Sequence, residues 1–219
     1  TGQTDSASAR LEITSIGELG LTLAAPAGLQ PDASGKVVIT YQNTGTAATT
    51  ATLSYLLPDK LSVTGHSAGG HLALWLAGRW RLPTDSSLRH HNDIDPMAVV
   101  SLAGIGDLGA ALGSGICRGA PEQLMDGLPQ VFPERYELAS PSALLPLAVP
   151  HWHICGIDDA LVPLAHVRAF VSAAREAGDR VELVEVANSG HFEIVTATSA
   201  VFAQVEAVYA KLMGLQKTS

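Results

Sequence analysis

The chain has 219 residues, 47% of them hydrophobic and only 5% aromatic, so one or two domains can bury a sizeable core built mainly from Ala, Leu and Val. Thirteen Lys and Arg stand against 21 Asp and Glu, a formal charge of −8, which argues against nucleic acid and against an anionic membrane surface as partners. No apolar run approaches the roughly 18 residues of a membrane span. The first residues show no basic-then-apolar signal pattern, and two cysteines, Cys117 and Cys155, exclude a disulfide framework.

Residues 1–60 contain no His, Trp or Cys. Short runs rich in Val, Ile, Thr and Tyr, at residues 11–16, 19–23, 36–43 and 51–57, are separated by turn-forming stretches such as Pro31-Asp32-Ala33-Ser34-Gly35 and Asn43-Thr44-Gly45. No helical periodicity interrupts them, so an antiparallel all-β segment is expected, with strands spaced as in a sandwich. Beyond residue 61 the chain changes character, and all eight histidines and all three tryptophans lie there. Two domains are expected, 1–59 and 60–219, joined through Leu57-Pro58-Asp59-Lys60 without a flexible linker.

Directly behind the β-prone residues 61–64 stands Gly65-His66-Ser67-Ala68-Gly69-Gly70, and a helix-forming run follows at 71–77. A bare G-x-S-x-G match is a weak signal, but in a strand–turn–helix setting it is the pattern of a nucleophile elbow. The chemistry needs a sharp, strained turn that lifts the Ser67 hydroxyl above the sheet edge. Gly65 and Gly69 are expected to remove Cβ atoms that would collide where strand and helix cross. The N–H of Ala68, at the helix N-terminus, is expected to serve as an oxyanion donor. His66, in the variable position, is read as a packing residue that borders the substrate.

Residues 97–104 read as the next, buried strand of a parallel sheet, and 105–146 as short amphipathic pieces broken by Gly and Pro. Asp107, just after a strand end, is a candidate pocket residue, with helix capping as the alternative. His90-His91-Asn92-Asp93-Ile94-Asp95 lies in a polar connection and reads as a solvated turn, so no metal is expected. His151 and His153 alternate with Trp152 and share one strand face as packing residues, while Cys155 is a small core residue. That strand ends at Gly156 and opens an acidic turn with Asp158, Asp159, Val162 and Pro163. A later strand, residues 181–186, ends in a loop that carries Gly190 and His191, with Glu193 behind them at the surface. Acid and histidine thus both follow the carboxyl end of a strand, where open parallel sheets place their sites, and Ser, acid, His is a triad order. Residues 167–178 and 200–212 read as amphipathic helices, with Gly178 and Gly214 as stops.

From about residue 61 to 215 the chain resembles an α/β-hydrolase, similar to the bacterial esterase and kynurenine-formamidase-like branch. The resemblance is carried by the elbow with His71-Leu72-Ala73-Leu74-Trp75 behind it, by Ser140-Pro141, by the acid turn and by Ser189-Gly190-His191-Phe192. It implies a partial α/β-hydrolase parallel sheet with helices. It also implies Ser67 as nucleophile, His191 as general base and an aspartate that orients it. Asp159 fits the G-x-x-D-x-x-V-P spacing set by Gly156, Val162 and Pro163, and Asp158 is the adjacent alternative. The reaction implied is acyl transfer without a cofactor on a small carboxylic ester or aryl-amide, and residues 105–146 become either a cap over the acyl pocket or ordinary connecting helices. The sequence departs from the family before the elbow. No H-G-G-type oxyanion sequence is present, the only Gly-Gly being Gly69-Gly70. Without the second oxyanion donor that such a sequence supplies, impaired turnover is expected, and the missing strands would leave the elbow strand with an unpaired edge through which a homo-oligomer is expected.

Residues 1–60 resemble half of an Ig-like repeat module of bacterial surface proteins, on Ala24-Ala25-Pro26, residues 36–45 and Leu57-Pro58-Asp59. Such modules are spacers or adhesive units, and the pairing with a hydrolase half implies a chimera. The rival to the enzyme is therefore a catalytically weak or inactive hybrid whose β-module binds or spaces. The hydrolase part implies the cytoplasm and the β-module the cell surface or secretion, so the compartment stays open.

Overall fold

The β-prone runs near the start of the chain pair antiparallel with one another, as their composition and the turn residues between them lead one to expect. A computed structural model of the protein describes residues 10–13, 19–24, 38–43, 51–54, 61–89, 96–113 and 115–212, and the chain divides into two units, Thr1–Pro58 and Asp59–Ser219. In the first unit β1 (Arg10–Ile13) pairs antiparallel with β4 (Ala51–Ser54), and β2 (Leu19–Ala24) pairs antiparallel with β3 (Val38–Asn43). The turns between these strands, the junction at 57–60 and the histidine turn at 90–95 lie outside the described residues.

The second unit is built on four parallel strands in the order β5-β6-β7-β8: Leu61–His66, Pro96–Leu102, His151–Gly156 and Val181–Val186. Alternation along the strands sorts the core into two faces. Val99 packs with Ala73, Leu74 and Ala77 of α1 (Ala68–Gly78) and with Phe170 of α5 (Leu164–Glu176). Val100 and Leu102 point the other way, with Ile154 and Val186, onto Val205 and Val208 of α6 (Phe202–Leu212). Helices therefore cover both faces, which is what buried, near-continuously apolar parallel strands require.

The two helices of the first face meet the sheet differently. In α5 the residues Leu164, Val167, Phe170, Val171 and Ala174 recur at helical spacing and are buried, while Arg168 and Arg175 are exposed. In contrast α1 is apolar nearly all round, and its buried side is made of small residues, Gly70, Ala73, Ala77 and Gly78, beside Leu74. Small residues let it lie close: a Cβ on Gly78 would stand 2.7 Å from Leu144 Cβ. The outer flank of α1 is tied to the connecting segment by Trp75 Nε1–H to the Leu138 carbonyl (2.8 Å) and by His71 Nε2–H to the Ala139 carbonyl (2.9 Å). That segment consists of the short helices α2 (Leu108–Gly113), α3 (Ala120–Met125) and α4 (Pro133–Ala139), the last two opened by proline in the first turn.

His71, His151, His153 and His166 are all buried in this core. His151 Nδ1 lies 2.9 Å from His153 Nε2, and its Nε2 lies 3.5 Å from Asp179, whose carboxylate accepts the N–H groups of Leu147 and Ala148. His166 Nε2 meets no hydrogen-bond partner among the described residues. Burial pushes each of these imidazoles below its ordinary range. The unfolded chain, with imidazoles near about 6.5, then takes up protons first as the pH falls. The stability these groups supply is therefore present above that value and lost as pH drops toward the depressed native values. Denaturant midpoints should fall steadily between about pH 7 and 5. His166→Leu should flatten that slope without lowering the midpoint at neutral pH, because it removes an unpartnered ring nitrogen. A midpoint flat across the window in the unsubstituted protein would contradict the account.

Candidate active site

The end of β5 turns sharply into α1. Ser67 has φ 56 and ψ −120, a region that a residue with a side chain adopts only under strain. The turn is held from both sides, by Ser67 N–H on the Leu102 carbonyl (2.8 Å) and by His71 N–H on the Ser67 carbonyl (3.1 Å). A Cβ on Gly65 would stand 2.1 Å from the Gly69 carbonyl oxygen, so the first glycine is sterically required. The expectation for Gly69 is corrected: a Cβ there meets nothing within 4 Å. Gly70 is the crowded partner instead, because its Cβ would lie 2.7 Å from Gly104 Cα at the end of β6. Ala68 is the first residue of α1, so its N–H is one of the donors that a helix leaves without an internal acceptor.

The acid lies in the turn after β7. Asp159 is 5% exposed. Its Oδ1 accepts the N–H groups of Leu161 (2.9 Å) and Val162 (2.8 Å), and its Oδ2 lies 2.7 Å from His191 Nδ1. Burial alone would raise the Asp159 carboxyl, but the His191 hydrogen bond and the two backbone donors outweigh it and hold the group below the usual range. Asp158 is exposed, and it is Asp159 that the structure brings to the histidine. Gly156 lets this turn touch the histidine loop, since a Cβ there would stand 2.1 Å from the Ser189 carbonyl oxygen. His191 is itself 7% exposed and packs edge-on against Phe192, which is 60% exposed. No hydrogen bond joins Ser67 to His191 among the described residues.

The other sequence candidates have partners inside the protein. His66 is half-buried, with Nε2 2.9 Å from the His191 carbonyl. Asp107 accepts the Ala110 N–H at Oδ1 (2.8 Å), at the start of α2, and the Ser142 hydroxyl at Oδ2 (2.9 Å), so both its oxygens are engaged. Cys155 is fully buried and its thiol is pushed up to about 12, mainly by burial, which keeps it protonated and inert. Glu193, read from the sequence as a surface residue, accepts the Gly190 N–H at 2.9 Å and so steadies the histidine loop. Its spacing of three residues behind Gly190 is the only trace of that role in the sequence.

No family model matches the chain, and no curated protein does. Solved structures do resemble it. The acylaminoacyl peptidase of Pyrococcus horikoshii aligns with TM-score 0.56 at 18% identity, over 74% of this chain and 25% of that one. A thermophilic esterase of the planctomycete Thermogutta terrifontis aligns with TM-score 0.53 at 22% identity, over 74% of this chain and 58% of that one. A truncated carbohydrate esterase from gut microbiota aligns with TM-score 0.56 at 18% identity, covering 72% and 61%. The chain thus spans from a quarter to about three-fifths of the length of these structures. The likeness shows the fold alone: four parallel strands with helices on both faces, arranged as in the α/β-hydrolase fold of these structures.

Two glycine substitutions separate the steric roles at the elbow. Gly65→Ala should lower unfolding stability by about 1–3 kcal/mol or more, because backbone must move to admit the methyl group. Gly69→Ala should be neutral or stabilising by up to about 1 kcal/mol, as an open helical glycine replaced by alanine. Equal losses for the two in denaturant unfolding would refute the assignment.

Proposed function

We propose that the second unit is a serine hydrolase that cleaves small carboxylic esters, and related aryl-amides, through an acyl-enzyme. The observation that carries this reading is the buried Asp159–His191 pair, 2.7 Å apart, at the same end of the sheet as a serine strained to φ 56. In this mechanism His191 takes the hydroxyl proton of Ser67 at Nε2 while the oxygen attacks the carbonyl. Asp159 keeps the remaining proton on Nδ1 and stabilises the imidazolium. The charge that develops on the carbonyl oxygen meets the N–H of Ala68 at the helix N-terminus. The leaving alcohol or amine departs with the proton from His191, and water, deprotonated by the same base, releases the acid and restores Ser67.

The names of the solved neighbours, two esterases and an acylaminoacyl peptidase, support acyl-transfer chemistry as the class. The sequence carries no H-G-G-type loop to add a second donor beside Ala68. A single donor would leave turnover roughly 10²–10³ below that of a site with two.

The test is burst release of p-nitrophenol from a short-chain ester. Ser67→Ala should abolish the burst, and equal release by the two proteins would sink the reading. Asp159→Asn should lower kcat by about 10³–10⁴, since the amide favours the wrong imidazole tautomer.

A further inference from the structure

His66 is the last residue of β5 and immediately precedes the strained serine. Its ring centroid lies 4.5 Å from that of His191 and 5.9 Å from that of Phe192. Its Nε2 lies 2.9 Å from the His191 carbonyl, and a carbonyl can only accept, so the proton sits on Nε2. Both the neutral tautomer with that proton and the imidazolium keep the donor, so the bond survives titration of the ring.

The remaining supports of the histidine loop act on other parts of it. Asp159 holds Nδ1 of His191, Glu193 holds the Gly190 N–H, and the Ser189 carbonyl accepts the Asp158 N–H at 2.9 Å. All of these tie the loop to itself or to the acid turn. The bond from His66 is different, because it joins the loop to the residue next to the nucleophile.

We propose that His66 is a positioning residue: its Nε2–H bond to the His191 carbonyl holds the base loop against the elbow, so that the free imidazole nitrogen of His191 stays within reach of the Ser67 hydroxyl. This rests on the hydrolase reading for its kinetic consequence, but not for the geometry itself. Misplacement of a catalytic group by about 1 Å is enough to slow a reaction on the order of 10²-fold.

The experiment compares His66→Leu, which keeps bulk and loses the donor, with His66→Gln, whose amide N–H reaches the same place. With a p-nitrophenyl ester, His66→Leu should lower kcat about 10- to 100-fold and move KM by less than about threefold, while His66→Gln should return kcat to within about threefold of the unsubstituted protein. Unchanged kcat in His66→Leu, or equal losses in the two variants, overturns the proposal. If the unsubstituted protein shows no Ser67-dependent hydrolysis, the hydrolase reading fails by itself, and the positioning is then read by NMR of the His191 ring. His66→Leu should shift and broaden the His191 ring resonances and His66→Gln should leave them sharp. Resonances unmoved by His66→Leu overturn the proposal there too.

Discussion

Backbone must meet backbone where α1 leaves the sheet, and the rest of the second unit follows from that contact. Neither Gly65 nor Gly70 has room for a side chain, the first against the Gly69 carbonyl and the second against Gly104 Cα. The helix can therefore start directly over the strand ends, and the residue at the bend, Ser67, is forced to positive φ. A strained residue of this kind costs on the order of 1–3 kcal/mol and persists only if its surroundings over-determine it. Here the Leu102 carbonyl and the His71 N–H clamp the two peptide groups of Ser67. The end of β6 repeats the pattern, with Ala103 at φ 46 and its N–H on the Ile154 carbonyl at 2.8 Å.

Electrostatics at the end of β7 is governed by donors rather than by burial. Asp159 is buried, which by itself disfavours a carboxylate, yet three N–H donors converge on it and keep it ionised. Cys155 lies four residues earlier and lacks such help. Its thiol faces the carbonyls of Gly156 and Val162, which are acceptors and do nothing to stabilise a thiolate, so burial keeps it protonated. Two ionisable groups on one strand end are thus driven to opposite states, and only the one with donors carries a charge.

The sequence made visible what depends on order along the chain. The four parallel strands, the helix behind Ser67 and the antiparallel runs near the start are all legible from periodicity and from the glycines and prolines between them. The acid turn is legible as well, because the spacing of Gly156, Asp159, Val162 and Pro163 is local. What escaped depends on distances across the fold. Gly70 is required because of Gly104, thirty-four residues away, and no local pattern announces that neighbour, so Gly69 looked equally constrained. Asp107 sits at a strand end as a pocket residue would, but its second oxygen is claimed by Ser142, which reaches it only through the fold. His66 in an elbow looks like filler until the histidine loop is seen to lie against it.

The sheet order explains why that last contact matters. Asp159 and His191 follow β7 and β8, which are adjacent and paired as far as Gly156 opposite Val186. Their geometry depends on those two strands and the loops above them. Ser67 follows β5, with β6 between β5 and β7. Neighbouring strands are about 4.8 Å apart, so the serine's strand end lies roughly 10 Å from the acid's and farther still from the histidine's. The acid–base pair therefore forms through contacts that do not involve the β5 end, and its own hydrogen bonds do not fix where it stands relative to Ser67. A loop that must reach back over the end of β6 needs a fixed point on the far side. The ring of His66 is rooted in the β5 end and extends toward the loop, so the bend that strains Ser67 also anchors the base that would use it.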